Sequence, residues 1–423
     1  MTGRSVGQGI TLRRLVALSV LAVVVAVAAT IIVVRVTGPS PDDNRSAAAG
    51  PATSKGQTPL GEVYAYTTER EFVLMRGERP PVRVSRVFDL ADSAKNDVVW
   101  THDGQWVTLL SDAALLDQPD KVQLITLNAR TGEIRRRSCP SCDDLAPVGD
   151  HDVVTLRWDD DARATLAVRY DASDPADRGT QIAPASDSDG TWQNVLLGGT
   201  RTRLLTGEYM SGGDPGMELR LHELKGAAGT GTTTSYPRFD SNAYMPTATA
   251  TVDGRERIAV GERQNPGECA ASFPIVLLGL DGEMHGTDQS AALPPGYIPA
   301  VTGGIEVHDL WWGPGHLYAT ISSWTCDNSA DSEDTKMRLD RPSTLWRLDG
   351  ERWVAAGAQP VTVARQLDRS TTMMLTIPDC IGPTDRVDAG TYCNSGTLSR
   401  ERHGRRTKIA DGVLGLSAPP SDR

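Results

Sequence analysis

Short apolar runs separated by turns fill the chain from residue 61 onward. In residues 98–110, Val98-Val99-Trp100 and Trp106-Val107 flank the turn pair Asp103-Gly104. An Asp-Gly pair between two β-like runs supplies the positive φ that a tight hairpin turn needs. This unit of strand, turn and strand returns around five later turn positions: Gly149, Gly199, Gly254, Gly315 and Arg369. The repeats predict a series of β-hairpins.

A second hairpin follows the first. It consists of a run ending in Leu, a polar turn and a further strand. Examples are residues 124–133, 219–226, 276–283 and 345–351. The first-hairpin turns, from Gly104 to Arg369, cover five intervals in 265 residues, or 53 residues each. Four short strands with their turns need roughly 40–50 residues, which is the size of one propeller blade.

We therefore predict an all-β fold, a β-propeller of seven blades. Six blades are the alternative, because blade boundaries between Asp159 and Thr191 are poorly marked. The seventh blade would be composite: runs at residues 63–66, 72–75 and 82–84 would join a C-terminal strand around residues 413–416 and close the ring. A TIM barrel would need helical periods between the strands, and the sequence shows almost none.

Residues 15–34 form a run of 20 residues without a charge. At about 1.5 Å per residue, a helix of this length spans a hydrocarbon core of roughly 30 Å. Arg4, Arg13 and Arg14 precede the run, and basic flanks stay in the cytoplasm. We expect a single-pass signal anchor in the cell membrane, with the C-terminal part extracellular. Cleavage as a signal peptide near Ala26-Val27-Ala28 is the alternative.

Four regions follow from these patterns. They are a cytoplasmic tail (1–14), a transmembrane helix (15–34), a flexible linker rich in Gly, Pro, Ser and Asp (35–60), and an extracytoplasmic propeller (61–423). The net charge is −11, and residues 1–37 carry four Arg and no acid, so the remainder carries −15. Such an acidic domain argues against nucleic acid as a partner.

Six cysteines on the outer side of a membrane predict disulfides. They are Cys139, Cys142, Cys269, Cys326, Cys380 and Cys393. Sequence alone leaves the connectivity open. Our preferred pairing is Cys139–Cys142 and Cys380–Cys393 as local staples, with Cys269–Cys326 between neighbouring blades.

Two other patterns can be interpreted either as a chemical site or as an ordinary structural feature. Cys139-Pro140-Ser141-Cys142 has redox-motif spacing, but it follows a strand without a helix signal, and no second ligand pair suits zinc. An acidic loop is a weak Ca²⁺ candidate without EF-hand spacing, so a solvated loop is favoured. Its carboxylates are Asp327, Asp331, Glu333 and Asp334.

Residues 100–107, Trp-Thr-His-Asp-Gly-Gln-Trp-Val, resemble the W-S-P-D-G-x-W repeat of TolB-type, WD40-like propellers. This chain has Thr-His where that family has Ser-Pro. Only six of the 43 basic residues are Lys, a bias that resembles single-pass actinobacterial membrane proteins. The resemblance implies a protein-binding propeller and no particular reaction.

No nucleophile elbow G-x-S-x-G or other catalytic spacing is present in the predicted propeller, residues 61–423, so we expect no catalytic residues and no cofactor. The predicted function is a non-catalytic module that binds a protein or peptide, or serves as an envelope scaffold or sensor. One alternative is a hydrolase or lyase with an acidic site in the central channel. Another is binding of wall carbohydrate through surface Trp. Convergent carboxylates or His in the channel would favour the enzyme.

Overall fold

The computed structural model describes residues 62–85, 98–111, 121–159, 164–182, 194–210, 216–226, 229–239, 245–252, 254–262, 264, 271–293, 296–297, 302–327, 336–378 and 395–420. The predicted tail, transmembrane run and linker lie outside these residues. Within the described ranges, no helix is long and apolar enough to cross a membrane. The anchor at 15–34 therefore stays a prediction.

Twenty-seven strands and one 3-10 turn (Ser290–Ala292) make up the described chain. It opens with β1 (Val63–Thr68), β2 (Glu71–Arg76) and β3 (Arg79–Ser85). Blade 1 contains β4 (Val98–Trp100), β5 (Trp106–Leu110), β6 (Gln123–Asn128) and β7 (Ile134–Ser138). Blade 2 contains β8 (Cys142–Val148), β9 (Asp152–Asp159), β10 (Ala164–Asp171) and β11 (Thr180–Gln181). Blade 3 contains β12 (Asn194–Gly199), β13 (Arg203–Met210), β14 (Gly216–Lys225) and β15 (Gly229–Ser235).

The second half of the chain repeats this plan. Blade 4 contains β16 (Thr247–Val252), β17 (Arg255–Gly261), β18 (Ile275–Leu278) and β19 (Met284–Gly286). Blade 5 contains β20 (Gly303–Gly313), β21 (His316–Asp327), β22 (Lys336–Asp349) and β23 (Arg352–Ala355). Blade 6 contains β24 (Val363–Gln366), β25 (Thr371–Thr376), β26 (Gly396–Arg402) and β27 (Arg405–Ser417). Each blade is an antiparallel meander in which consecutive strands pair.

The seventh blade is composite, as the sequence predicts. In the first part of β27, Arg405 pairs with Arg402 of β26. In the second part, Ser417 pairs with Ala65 of β1, so the blade reads β27-β1-β2-β3. The chain changes partner near Gly412, whose φ of 69° is a conformation that glycine adopts without strain.

The first strand of each blade lies innermost, with the end of β27 filling this position in the composite blade. These strands contact one another in the order β4, β8, β12, β16, β20, β24, β27 and back to β4. This closed circuit defines a seven-bladed β-propeller. The seven-blade prediction is confirmed, and the six-blade alternative is wrong, because β8 to β11 and β12 to β15 form separate sheets.

Apolar side chains fill the spaces between neighbouring blades. Ile305 and Trp346 of blade 5, for example, share a cluster with Ala248 and Ile275 of blade 4. Six Trp side chains are each at most 8% exposed: Trp100, Trp106, Trp311, Trp324, Trp346 and Trp353. Each sheet buries both faces only by standing beside the next, which favours the ring over separate sheets.

Polar contacts also link the blades on one side of the ring. We call this side, which carries the turn between the first and second strands of each blade, the turn face. There the backbone N–H of Asp103 donates to the Asp150 carbonyl at 3.1 Å, and the N–H of Gly149 donates to the Arg201 carbonyl at 3.1 Å. Blades 1, 2 and 3 are therefore joined turn to turn.

Cys139 and Cys142 form a disulfide, which confirms that predicted pair. Both are buried, and the Cys139 Sγ lies 3.6 Å from the Tyr170 hydroxyl. Cys326 is also disulfide-bonded, to a partner outside the described residues. Ala271 packs against Cys326, which brings the chain two residues after Cys269 to its side. The pairs Cys269–Cys326 and Cys380–Cys393 stay predictions, because Cys269, Cys380 and Cys393 lie outside the described ranges.

Candidate functional site

A cavity of about 660 Å³ lies where the central channel meets the turn face. It is formed mainly by the ends of the innermost strands, so every blade contributes to its wall. Representative lining residues, one from each blade, are Trp100, Pro147, Gly198, Thr249, Trp311, Gln366 and Ser417. The site therefore exists only when the whole ring has closed.

Two Trp residues from the end of β20 give the cavity a rigid apolar wall. Trp311 stacks on Tyr318 with ring centroids 5.6 Å apart and an interplanar angle of 15°. The indole N–H of Trp312 donates to the Ala248 carbonyl at 3.2 Å. Burial raises the pKa of the Tyr318 phenol, so it stays neutral at physiological pH. This wall can pack against apolar or aromatic groups of a ligand.

Arg365 fixes one positive charge in the cavity wall. Its guanidinium forms an ion pair with Asp309, in which Nη2 donates to Oδ1 at 3.2 Å. It also lies over the Trp311 ring, 5.2 Å from the centroid. The two side chains are only 21% and 12% exposed. This arginine is therefore held in place by contacts on two sides.

Two further arginines are available to a ligand. Arg201 lies 3.1 Å from Asp150, but the two side chains are 45% and 61% exposed, and such surface pairs contribute little. Arg369 is exposed in the turn between β24 and β25 and has no hydrogen-bond or ionic partner among the described residues. Both guanidinium groups can accept an anionic partner without breaking a strong contact.

The described residues that line the cavity include no Asp, Glu or His. The enzyme alternative requires acidic residues in the channel, and none of the described lining residues supplies such a group. The whole chain carries −11, yet this concave surface is locally positive. The arginines can bind a carboxylate of a peptide, and the Trp side chains beside them can contact its apolar groups.

A Ser–His pair lies away from this cavity, between blades 5 and 6. The His308 Nε2 and Ser322 Oγ are 2.9 Å apart, and Glu306 sits opposite Ser322 in the strand register. Ser322 is fully buried, so a substrate has no access to its hydroxyl in this structure. Thr320 beside it donates to the Thr362 carbonyl of blade 6 at 2.7 Å, a contact that locks the two blades.

The remaining predicted chemistry is not assembled in the described ranges. Asp331, Glu333 and Asp334 lie outside them, as does the side chain of Asp327. No group of three or more potential metal ligands occurs among the described residues. The Cys139–Cys142 disulfide is too buried for exchange with an external thiol, which opposes the redox interpretation.

The cavity arginines were missed by sequence reasoning. Arg201, Arg365 and Arg369 belong to blades 3 and 6 and line one cavity only because the ring closes. Each follows or ends an innermost strand, so its position relative to the hairpin turn is the one signal that could have found it.

No family model matches this chain, and no curated protein matches it. Solved structures do. The propeller domain of the Trilobed protease from Pyrococcus furiosus is 10% identical, with 81% of this chain and 87% of that chain covered and a TM-score of 0.45. An acylaminoacyl peptidase from Pyrococcus horikoshii is 11% identical, with 83% and 53% covered and a TM-score of 0.44, so this chain spans about half its length.

TolB from Acinetobacter baumannii is 11% identical, with 65% of this chain and 64% of that chain covered and a TM-score of 0.33. The structures that this chain resembles thus include a propeller domain and TolB. At these identities and scores the likeness carries no functional argument. The propeller architecture is established by the strand order and the closed circuit of inner strands.

Proposed function

We propose that this protein is a membrane-anchored, extracytoplasmic propeller that binds a peptide segment of a partner protein without catalysing a reaction. The observation that carries the proposal is the cavity at the turn face, with Trp and Arg side chains and no carboxylate or imidazole in its described lining. Its volume of about 660 Å³ suits a few side chains of an inserted peptide.

The extracytoplasmic location rests on three features. Residues 15–34 are long and apolar enough for an anchor, and the basic residues stand on its N-terminal side. Cys139–Cys142 and Cys326 are disulfide-bonded, and disulfides persist in oxidising compartments. Protease treatment of intact cells tests this proposal: the propeller should be released from the cells while the N-terminus stays protected. Recovery of the propeller in the medium without protease would instead favour a cleaved signal peptide.

Peptide binding is tested by narrowing the cavity. In Gln366→Trp an indole replaces the side chain at the end of β24 and fills part of the cavity. When the propeller is used to capture its partner from detergent-solubilised membranes, this variant should recover at least about tenfold less partner than the natural protein. Gln123→Trp, on an exposed residue of blade 1, is the matched control and should bind as the natural protein does. Equal recovery by both variants would exclude the cavity as the binding site, and turnover of a small substrate without a partner would exclude the non-catalytic function.

A further inference from the structure

A basic hairpin stands on the rim of the turn face. We use this name for residues 400–408, the end of β26, the turn and the start of β27. These nine residues carry four Arg, one Lys and a single acid, Glu401. The residues from Arg402 to Lys408 are all exposed. This density of positive charge stands out in a chain whose net charge is −11.

The geometry of the turn does not require these cations. In four of the six other blades the corresponding turn places Glu after a glycine of positive φ: Gly77-Glu78, Gly132-Glu133, Gly282-Glu283 and Gly350-Glu351. In blades 2 and 3 the residue after this glycine is uncharged, Thr180 and Ala227. Blade 6 has Gly404-Arg405 at the same position, with the same kind of φ. The turn forms with either Glu or Arg after the glycine, so folding of the turn does not explain the positive charge at Arg405.

The basic hairpin is continuous with the cavity. The backbone N–H of His403 donates to the Ser370 carbonyl at 3.4 Å, so the outer turn of blade 6 rests on its inner turn. Ser370 follows Arg369, which lines the cavity. A basic ridge thus runs outward along one blade, from Arg365 and Arg369 to Arg405 and Arg406.

Some of these cations are neutralised within the fold and others are not. Glu62 accepts an ion pair from Arg400 at 2.9 Å and a looser one from Arg402 at 3.9 Å, and Lys408 pairs with Asp411. Arg405 has no acidic partner among the described residues, and Arg406 contacts only the Met374 sulfur at 3.2 Å. The guanidinium groups of Arg369, Arg405 and Arg406 are therefore available to an external anion.

We infer that the ligand of this propeller is an acidic, extended polypeptide that enters the cavity and continues outward over the basic hairpin of blade 6. This inference rests on the proposed function and assigns its partner a chemical class. Aromatic and aliphatic side chains of the peptide pack against Trp311 and Trp312. Carboxylates within the cavity bind Arg369 and Arg201, and carboxylates further along bind Arg405 and Arg406.

A polypeptide fits these features better than an anionic lipid headgroup does. The Trp wall of the cavity offers contact for side chains that a headgroup lacks. The ridge also ends on the first part of β27, residues 405–411, whose edge away from β26 pairs with no strand among the described residues and can pair with an extended backbone.

The test measures binding of a fluorescein-labelled peptide of five Glu-Leu repeats to the full chain in phosphatidylcholine nanodiscs. The double variant Arg405→Glu/Arg406→Glu should weaken binding by at least about tenfold, since charge-assisted contacts are lost and replaced by repulsion. Arg70→Glu, an exposed arginine in the turn between β1 and β2, is the matched control and should leave binding unchanged. A peptide of five Lys-Leu repeats should not bind.

The failures of the two proposals are distinguishable. If Gln366→Trp abolishes peptide binding while the hairpin double variant and Arg70→Glu bind alike, the cavity function stands, and the inference that an acidic peptide binds the basic ridge is overturned. If none of these variants changes the affinity, both proposals fail. Direct binding of short-chain phosphatidylglycerol, with no binding of either peptide, would assign the ridge to lipid and would also overturn the inference.

Discussion

Single polar side chains tie neighbouring blades together. Glu256 of blade 4 accepts hydrogen bonds from Thr202 of blade 3 at 2.9 Å (backbone) and 2.8 Å (side chain) and pairs with Arg203. Burial raises the pKa of this carboxyl, but the hydrogen bonds from Thr200, Thr202 and Arg203 outweigh burial and lower it overall. The ionised group therefore stabilises the junction of blades 3 and 4.

We expect Glu256→Gln to destabilise the ring by about 1–3 kcal/mol at pH 7, because a charged acceptor is lost from a mostly buried network. A carboxyl with a lowered folded-state pKa stabilises above its unfolded pKa near 4.5, and the gain is lost as pH falls through the folded-state value. Urea unfolding at pH 7 and in this acidic range should show the difference between natural protein and variant shrinking on acidification. Glu283→Gln, on an exposed turn, is the control and should have no effect.

The buried disulfide gives a second prediction at this scale. With Cys139 and Cys142 at most 2% exposed, dithiothreitol should reduce the bond only when the protein unfolds. Replacing both by Ser should cost about 2 kcal/mol, as expected for a short closed loop. Mass spectrometry after alkylation reports the redox state. Rapid reduction of the folded protein would revive the redox interpretation.

At the scale of the strands, glycine sets how closely blades approach. A Cβ added at Gly199 would lie 2.2 Å from the Pro147 carbonyl oxygen, where the inner strands of blades 2 and 3 meet. Gly199→Ala should therefore push these strands apart and destabilise the fold by roughly 1–3 kcal/mol. Gly286→Ala, where a Cβ meets nothing within 4 Å, is the matched control. Equal urea midpoints for the two variants would contradict this account.

Turn residues explain which strands the sequence could reveal. Gly104, Gly149, Gly254 and Gly315 have positive φ in the first-hairpin turns, and their identity marked those turns in the sequence. Gly132 and Gly179, also at positive φ, precede the outer strands β7 and β11, but these strands have little apolar pattern of their own: β7 reads Ile-Arg-Arg-Arg-Ser, and β11 has only two residues. Their pairing depends on the neighbouring strand rather than on their own composition, so only the structure could give their extent.

At the scale of the whole molecule, the seam between the two chain ends holds the ring closed. Val413 is fully buried where β27 leaves β26 and joins β1. Val413→Asp places an unpaired carboxylate there and should open the ring, with a loss of more than about 2 kcal/mol. Limited proteolysis should then release fragments beginning near β1. Leu280→Asp, at a 39% exposed position, should leave the protease-resistant core intact.

Ring closure also limits what the sequence could say about the cavity. The composite blade was predictable because its apolar runs stand at both ends of the repeat array. The presence of Arg201 and Arg369 in one cavity was not predictable, because it depends on how the seven sheets are arranged rather than on any local pattern. Binding sites made by strand ends from many blades therefore require the assembled fold.

The seam has a consequence for biosynthesis. Thr68 pairs with Val413, which is synthesised 345 residues later. Until then, β1 exposes a hydrogen-bonding edge and an apolar face that only the final strand covers. A nascent or prematurely terminated chain is thus vulnerable to aggregation and to quality-control proteases. Synthesis of β27 is therefore the step that allows the ring to close.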